Sequence, residues 1–402
     1  MQDNMKELSK YILVVILLAI TATVTAQDNP LEYPFAVQQS RNDIIIPKVN
    51  GLNVYKADFH LHTIYSDGDV TPEMRVIEAW RDGLDIIAIT DHMEYRRIER
   101  SLLRYMKDYI REDLRDLPKG VNTNILTKDP DSLGLLVDFN IPHELAVSKA
   151  RNYGIHVVRG VEITRKSLGD YNALFTTDNN AIYDPDLEQT IRNARAQGAF
   201  IIHNHPMRDK KSENTITPFT NDLYAKGLID GVEVFNGRWK WQHLFSHCIN
   251  GGYTPFSNSD AHDYIYWKYE APASDGGAIR YRNMTLVLAK KLDDKHIHDA
   301  LKKGNTLAYG NNTIVGREDL LKALFDASVS FELQRTDTKE HNIIVRNNSS
   351  LPYYIQVGGS KYIVNAQGAF SFKRSKNEKE AKVTVLNMWY GNEEHPSITV
   401  KW

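Results

Sequence analysis

The chain has 402 residues, of which 42% are hydrophobic and 25% charged, and its net charge is −2. This composition excludes a collagen-like, coiled-coil or wholly disordered chain, and the charge gives no sign of a nucleic-acid or membrane-surface partner. The single cysteine, Cys248, excludes an intrachain disulfide and a cysteine-based zinc site. The 14 histidines leave open a site built from imidazoles.

Residues 1–26 have the three parts of a secretory signal peptide. Lys6 and Lys10 precede the apolar run 11–20, and Val24-Thr25-Ala26 supplies a small-x-small cleavage site. The apolar run is about half the ~20 residues that a membrane-spanning helix needs. We therefore expect a secreted protein without a stable membrane anchor, located in the periplasm if the source is a Gram-negative bacterium.

Short apolar segments rich in β-branched residues alternate with helical patterns over the next part of the chain. Strands are predicted at 56–62, 85–90, 156–163, 200–204, 231–235, 253–257 and 284–289. One helix is predicted from Thr71-Pro72 to Gly83 and another from Asp184-Pro185 to Gly198. This alternation predicts an α/β fold with a parallel sheet, either a barrel or a doubly wound sheet, whose site lies at the carboxyl ends of the strands.

Two regions depart from this alternation. A charged insertion at about 94–141 follows the second strand directly, so we expect it over the site face. From 328 to 402 the pattern changes to short alternating strands with turns and no helical signal, which predicts a small C-terminal all-β domain, most simply a β-sandwich.

Histidine and carboxylate side chains follow several of the predicted strands. His60 and His62 are two residues apart and share one face of the first strand, and Asp260 and His262 repeat that spacing after the sixth. The other strand ends carry Asp67 in a downstream turn, Asp91 with His92, Glu162, and His203 with His205, and we expect a metal site at this edge. Imidazole and carboxylate ligands without thiolate favour Zn, Mn or Fe, and the set exceeds what one tetrahedral ion can use. We therefore predict two or three divalent ions.

The ordered motifs resemble the PHP (polymerase and histidinol phosphatase) family from about residue 58 to 320. They are His-x-His with a downstream Ser-Asp-Gly, then Thr-Asp-His, Gly-x-Glu, His-Pro and Asp-x-His. The resemblance implies a distorted (β/α)7 barrel, here expected over 27–327. It also implies a first ion held by His60, His62, Glu162 and Asp260, a second bridged by Glu162 and held by His205, and a third held by Asp67, His92 and His262.

Two positions depart from the family pattern. Where family members often have a histidine in Gly-His-x-Asn-Ala, this chain has Gly169-Asp170-Tyr171-Asn172-Ala173, so Asp170 is the candidate remaining ligand of the second ion. His203 is an additional histidine beside His205. It could replace the missing ligand, hydrogen-bond a carboxylate, pack in the core, or act as a general acid.

The resemblance implies hydrolysis of a small organic phosphate mono- or diester by a metal-bridged hydroxide. The candidate catalytic residues are Asp260, His203 as a proton donor, and Arg165 and Arg282 as donors to phosphate. An amidohydrolase-type reaction on the same site is the alternative, and a non-catalytic binding protein is a further one. Nucleic acid is not expected as a partner, because of the export signal and the slight negative charge. The sequence does not indicate the oligomeric state.

Overall fold

The computed structural model describes residues 41–94, 138–165, 168–206, 216–265, 281–336 and 339–402. The predicted signal peptide and almost all of the predicted insertion lie outside these residues. The unit considered below is Asn42–Trp402. Within the described residues, no helix combines the length and the apolar character that crossing a membrane requires.

Seven helices occur in the described residues: α1 (Pro72–Arg81), α2 (Ile141–Ala150), α3 (Leu187–Ala196), α4 (Pro218–Ala225), α5 (Phe245–Asn250), α6 (Asp294–Lys302) and α7 (Glu318–Ser328). The strands of the first part are β1 (Asn53–Asp58), β2 (Ile86–Ile89), β3 (His156–Arg165), β4 (Gly169–Leu174), β5 (Phe200–His203), β6 (Gly231–Asn236), β7 (Trp239–Lys240), β8 (Thr254–Asn258), β9 (Met284–Ala289), β10 (Thr306–Gly310) and β11 (Thr313–Gly316). The C-terminal strands are β12 (Val329–Thr336), β13 (Glu340–Asn347), β14 (Tyr353–Val357), β15 (Ser360–Val364), β16 (Ala369–Ser375), β17 (Glu380–Val385), β18 (Met388–Trp389) and β19 (Ser397–Lys401).

Local sequence signals account for the helix starts. The Thr71 hydroxyl accepts a hydrogen bond from the backbone N–H of Met74, and Pro72 occupies the first turn of α1, as predicted. Helix α3 begins later than predicted, with Asp186 as its cap. The reason is that the Asp184 carboxylate accepts from the N–H of Asp186 at 2.8 Å and forms a turn ahead of the helix.

The strands β1 to β11 form a mixed sheet together with β18. Its order is β18-β11-β10-β9-β1-β2-β3-β4-β5-β6-β7, with β8 pairing to β6. The predicted parallel pairing is correct for β1-β2-β3 and for β5-β6-β8. It is wrong at β9, which runs antiparallel to β1, and β4, which was not predicted as a strand, runs antiparallel to β3 and β5. Only residues 166–168 separate β3 from β4, too few for the crossover that a parallel neighbour requires.

The sheet curls so that its strand ends meet. A parallel bridge joins Leu61, beyond β1, to Ala261, beyond β8. The Thr285 hydroxyl of β9 accepts from the N–H of Ser257 of β8 at 3.0 Å and donates to its carbonyl at 3.1 Å. The result is a PHP-like half-barrel that gathers the carboxyl ends of β1, β2, β3, β5, β6 and β8. The (β/α)7 count stays a prediction.

The C-terminal part is all-β, as predicted. It contains the antiparallel sheets β12-β13-β16 and β15-β14-β17-β19. The packing as a sandwich and the domain boundary at 327/328 stay predictions. One feature was not predicted: β18 leaves these sheets and pairs in parallel with β11, through Ile314 with Met388 and Val315 with Trp389. One continuous core includes residues of both parts, among them Leu286, Leu307, Phe325, Ile343, Tyr353 and Met388.

Candidate metal centre

His60 and His62 follow β1 and are both completely buried. Phe59 and Leu61 alternate with them and are buried among apolar residues, which is the period-two pattern expected of an extended segment. The two imidazole Nε2 atoms lie 3.1 Å apart. Both rings therefore direct a nitrogen to the same point.

Glu162 of β3 lies at the middle of the cluster and is also completely buried. Its Oε1 is 3.4 Å from His60 Nε2 and 3.5 Å from His205 Nε2. Its Oε2 is 3.3 Å from His62 Nε2 and 2.8 Å from His92 Nδ1. One carboxylate thus touches four imidazoles, as the predicted bridging role requires.

Asp260 approaches the same point from the loop after β8. Its Oδ1 is 3.0 Å from His62 Nε2 and 3.3 Å from His60 Nε2, and its backbone N–H donates to the His60 carbonyl. Asp260 has φ of 50° and His205 has φ of 24°, in the left-handed region that side chains other than glycine rarely adopt. Such strained backbone often marks functional positions, where it aims a side chain.

All nine residues predicted as metal ligands lie in this cluster. Their ligand atoms form four overlapping groups in which the atoms lie within 4.8 Å of one another: His62, Asp67, His92 and His262; His60, His205 and Asp260; His60, His62 and Glu162; and Glu162, Asp170 and His205. Two details differ from the family assignment: His62 joins the Asp67 group as well as the His60 group, and His205 joins His60 and Asp260 as well as Glu162 and Asp170. The ligand roles themselves stay predictions.

Three atoms of the cluster indicate that its residues fit a bound cation. Glu162 Oε2, His205 Nε2 and Asp260 Oδ1 are buried, and although other atoms of the cluster lie close to them, no described residue meets them in hydrogen-bonding geometry. A buried polar atom left without a partner costs about 1–3 kcal/mol. Two carboxylate oxygens and an imidazole nitrogen are the donors that Zn, Mn and Fe accept, so an ion at this point would satisfy all three.

The electrostatics of the cluster fit the same interpretation. Burial would raise the pKa of Glu162, but His92 and His60 outweigh it and hold that pKa well below its usual range. Burial lowers the pKa of His92, yet Glu162 and Asp67 outweigh it and raise the pKa to about 9. Without an ion, protons on the histidines balance the carboxylates. Metal uptake should therefore release protons.

Glu233 is a supporting residue that the sequence analysis missed. It is completely buried in β6 and accepts from His60 Nδ1, from Asn258 Nδ2 and from the N–H of His205, each at 2.8 Å. A carboxylate bonded to the far nitrogen of an imidazole fixes the ring's orientation and increases its basicity toward a metal. The available signal was a lone glutamate within the apolar strand β6.

Asp91 is a second missed residue. Its carboxylate accepts from the Thr63 N–H at 2.7 Å, and from the hydroxyls of Thr63 and Ser66 at 2.6 Å each. These bonds attach the turn that carries Asp67 to the end of β2. Asp67 is thereby placed beside His92, 3.6 Å from its Nε2.

The contacts of His203 favour a packing role over the predicted role as a proton donor. Its Nδ1 lies 3.0 Å from the Tyr224 hydroxyl, and its ring stacks on Tyr171 at 5.2 Å. It belongs to none of the four ligand groups of the described residues. Burial, with smaller contributions from His205 and His247, lowers its pKa to about 3, so the ring is neutral at neutral pH and lacks the acidic imidazolium proton that a general acid donates. Of the alternatives considered, packing in the core is the one that fits.

We expect His203→Gln to keep its metal and its activity, while His205→Gln loses both. The two substitutions are identical and only two positions apart, but only His205 faces Glu162 and Asp260. For His203→Gln we expect the pH profile of kcat/KM between about pH 5 and 9 to match the parent, because a group with a pKa of about 3 does not titrate there. A profile that loses its acidic or basic limb in His203→Gln would contradict this placement.

The contacts of the two predicted phosphate-binding arginines, Arg282 and Arg165, disfavour that role. Arg282 is 3% exposed and pairs with Asp58 and with Asp82. Arg165 pairs with Glu94, and its other terminal nitrogen donates to the Asp184 carbonyl at 2.9 Å. A phosphate would have to displace carboxylates from both guanidinium groups. The two arginines lie near motif residues in the sequence, but residues of other elements are their binding partners.

Asp170 lies where the family histidine would stand. Its Oδ2 is 3.7 Å from His205 Nδ1, and its side chain is 19% exposed. We expect Asp170→Asn to weaken the binding of one ion by at least ~10-fold, because the amide removes an anionic ligand. Competition with a chromophoric chelator measures this affinity. An unchanged affinity would exclude Asp170 as a ligand.

The fold and the cluster together define an α/β protein with a buried histidine–carboxylate site suited to divalent metal ions. Residues 58–230 match the family model of the PHP domain, the family that the motifs of this chain resemble.

The solved structures include one extended match. This match is a two-domain protein from Bacteroides vulgatus that contains a predicted PHP-like metal-dependent phosphoesterase. The two chains are 28% identical in sequence and superpose with a TM-score of 0.76, over 90% of this chain and 99% of the Bacteroides vulgatus chain. An amidohydrolase from Chromobacterium violaceum, with sulfate and no metal bound, is 15% identical with a TM-score of 0.33. The match covers 52% of this chain and 87% of the amidohydrolase chain. A lesion-specific endonuclease from Pyrococcus furiosus is 15% identical with a TM-score of 0.37. The match covers 66% of this chain and 59% of the endonuclease chain. No curated protein matches.

Proposed function

We propose that this chain is a metal-dependent phosphoesterase that hydrolyses a small organic phosphate mono- or diester with two or three Zn, Mn or Fe ions. The observation that carries the proposal is the buried cluster around Glu162, in which three converging polar atoms meet no described residue in hydrogen-bonding geometry. The likeness to the Bacteroides vulgatus protein along most of both chains supports the same class of activity.

The chain's own residues would perform three tasks. Divalent ions held here would supply Lewis acidity toward phosphoryl oxygens and activation of water near neutral pH. Glu162 and Asp260 would stay anionic, since neighbouring histidines outweigh burial and keep both pKa values well below the usual range. Asn204 donates to Glu162 Oε1 at 2.8 Å and would keep that carboxylate oriented for the ions.

A covalent cysteine mechanism does not fit this chain. Cys248 is completely buried in α5, where its thiol lies 3.3 Å from the Tyr253 carbonyl. Burial raises the pKa of the thiol, so the reactive thiolate is disfavoured. Water activated at the cluster remains the nucleophile that we propose.

A substrate panel with Zn- or Mn-loaded protein tests the proposal. It should contain chromogenic phosphate mono- and diesters, a short oligonucleotide, an amide and a lactone. We expect turnover of a small phosphate ester, and none by His205→Gln prepared in the same way. Turnover of the amide or lactone alone would support the amidohydrolase alternative, and cleavage of the oligonucleotide alone would overturn the small-molecule assignment. No turnover with metal bound would overturn the enzymatic function.

A further inference from the structure

Arg75 is a completely buried arginine on α1, outside every metal-binding motif, and it lies beneath the loops that carry several proposed ligands. We propose that Arg75, held by Glu78, is a positioning residue for the metal site formed by His62, Asp67, His92 and His262. This inference rests on the proposed metal-dependent function. It goes beyond that function by assigning the selective assembly of one site to an arginine that binds no ion.

All five N–H donors of Arg75 are occupied. Nε donates to the His62 carbonyl at 2.8 Å, and one terminal nitrogen donates to the carbonyls of Ala261 and His262 at 2.8 and 2.7 Å. The other donates to the Asp263 carbonyl at 3.0 Å and to Glu78 Oε2 at 2.7 Å. An arginine presents five donors in a rigid planar fork, so this set fixes the relative positions of two separate loops.

Glu78 completes the arrangement. Its Oε1 accepts from the backbone N–H of Ile265 at 2.7 Å, while its Oε2 binds Arg75. Arg75 and Glu78 are three residues apart on α1 and share one face of the helix. Helix α1 therefore holds the loop 260–265 through four backbone groups, and it holds the segment after β1 through the His62 carbonyl.

The turn that carries Asp67 is attached to the same structure. The N–H of Asp69 donates to the His262 carbonyl at 2.8 Å, so that carbonyl binds both Asp69 and Arg75. Gly68 packs against the backbone of His62, where a Cβ would lie 2.7 Å from the His62 carbonyl carbon. Three of the four ligands in the group, His62, Asp67 and His262, thus depend on backbone that Arg75 holds.

Stability alone does not account for this pair. Burying two charges is costly, and replacing a buried ion pair with well-packed apolar residues is often neutral or stabilising. Since α1 already packs through Val76 and Ala79, apolar side chains could fill this face. What apolar residues could not supply is a set of directed bonds to four carbonyls. The pair therefore fits a role in fixing ligand geometry.

The contacts also predict selectivity. The residues of the Glu162, Asp170 and His205 group are held by other partners: Asn204 for Glu162, and Glu233 for the backbone of His205. Loss of the Arg75 fork should therefore release the ion at the His62, Asp67, His92 and His262 group and leave the ion beside Asp170 in place.

The test compares bound metal in the parent, Arg75→Met, Arg75→Lys and Arg195→Met after chelation and reloading with Zn. Stoichiometry is measured by elemental analysis and affinity by chelator competition. Arg195 is the matched control, a helix arginine that binds Asp230 at 2.8 Å and the Leu228 carbonyl at 3.4 Å, away from the cluster. We expect Arg75→Met to lose one ion per chain, or to bind it at least ~10-fold more weakly. Arg75→Lys keeps the charge without the fork and should lose the same ion.

The outcomes separate this proposal from the proposed function. Parental stoichiometry and affinity in Arg75→Met and Arg75→Lys would overturn the positioning role, as would an equal loss in Arg195→Met. If Arg75→Met does not fold, Arg75→Lys decides. A parent that binds ions but hydrolyses no substrate overturns the function alone, since the ion count still decides the role of Arg75. A parent that binds no ion overturns both.

Discussion

Glu162→Gln is expected to reduce kcat/KM for a phosphate ester by at least ~1000-fold, equivalent to about 4 kcal/mol of transition-state stabilisation. The physical reason is that Glu162 is, within the described part of the chain, the one carboxylate in contact with His60, His62, His92 and His205. An amide keeps the shape but removes the charge that would bridge two ions and balance the histidines. Steady-state kinetics and metal analysis on the same preparation measure the effect.

The matched control for this substitution is Glu188→Gln on α3. Glu188 is on the surface, where it binds Arg192 at 2.6 Å and Lys226 at 2.8 Å. Exposed pairs of this kind contribute roughly 0–1 kcal/mol, so this variant should keep the parent's activity and metal content. A Glu162→Gln protein whose kcat/KM stays within tenfold of the parent value would contradict the bridging role of Glu162.

Truncation after Ala327 is expected to abolish cooperative folding of the remaining chain. The truncated protein loses β18, the parallel partner of β11, and exposes apolar residues of the barrel part, including Ile314, Leu321 and Phe325. Phe325 also loses its edge contact with Tyr353, at a centroid distance of 5.3 Å. Each fully buried side chain of this kind contributes about 1.5–3 kcal/mol, while a whole domain is stable by only about 5–15 kcal/mol. Solubility and a thermal unfolding curve test this expectation.

Co-expression provides the control for the truncation. If loss of the shared core is the cause, a separate chain of residues 328–402 should restore a soluble complex with the truncated protein. Ile363→Ser, at a side chain of β15 that is 54% exposed, should leave folding unchanged. A truncated protein that is soluble and unfolds cooperatively at the parent's temperature would contradict the shared core.

The metal cluster could be predicted because its signals are local. His60 and His62 share a face by the period of a strand, and Glu162, His205 and Asp260 come directly after segments that are clearly apolar. The carboxyl ends of parallel strands meet at one edge of a sheet, so sequence positions translate into proximity. The nine residues predicted as ligands consequently include every member of the four groups found in the described residues.

The parts that could not be predicted depend on contacts between distant segments. Arg75 reads as an ordinary surface residue of an amphipathic helix until the loop 261–263 is placed against it. Arg282 was interpreted as a phosphate ligand because nothing near it in sequence shows its partner Asp58. Strand β18 has only two residues, and its partner β11 is more than seventy positions away. The periodicity of apolar residues along the sequence does not indicate such pairings.

Diffraction from crystals grown with Zn or Mn, measured at the absorption edge of the metal, would locate ions bound at the cluster. We expect two or three anomalous peaks among the side chains of Glu162, Asp260 and the five clustered histidines, with one peak beside Asp67 and one beside Asp170. Fully loaded crystals with no anomalous peak at these residues, or with peaks only at surface histidines such as His298, would contradict this expectation.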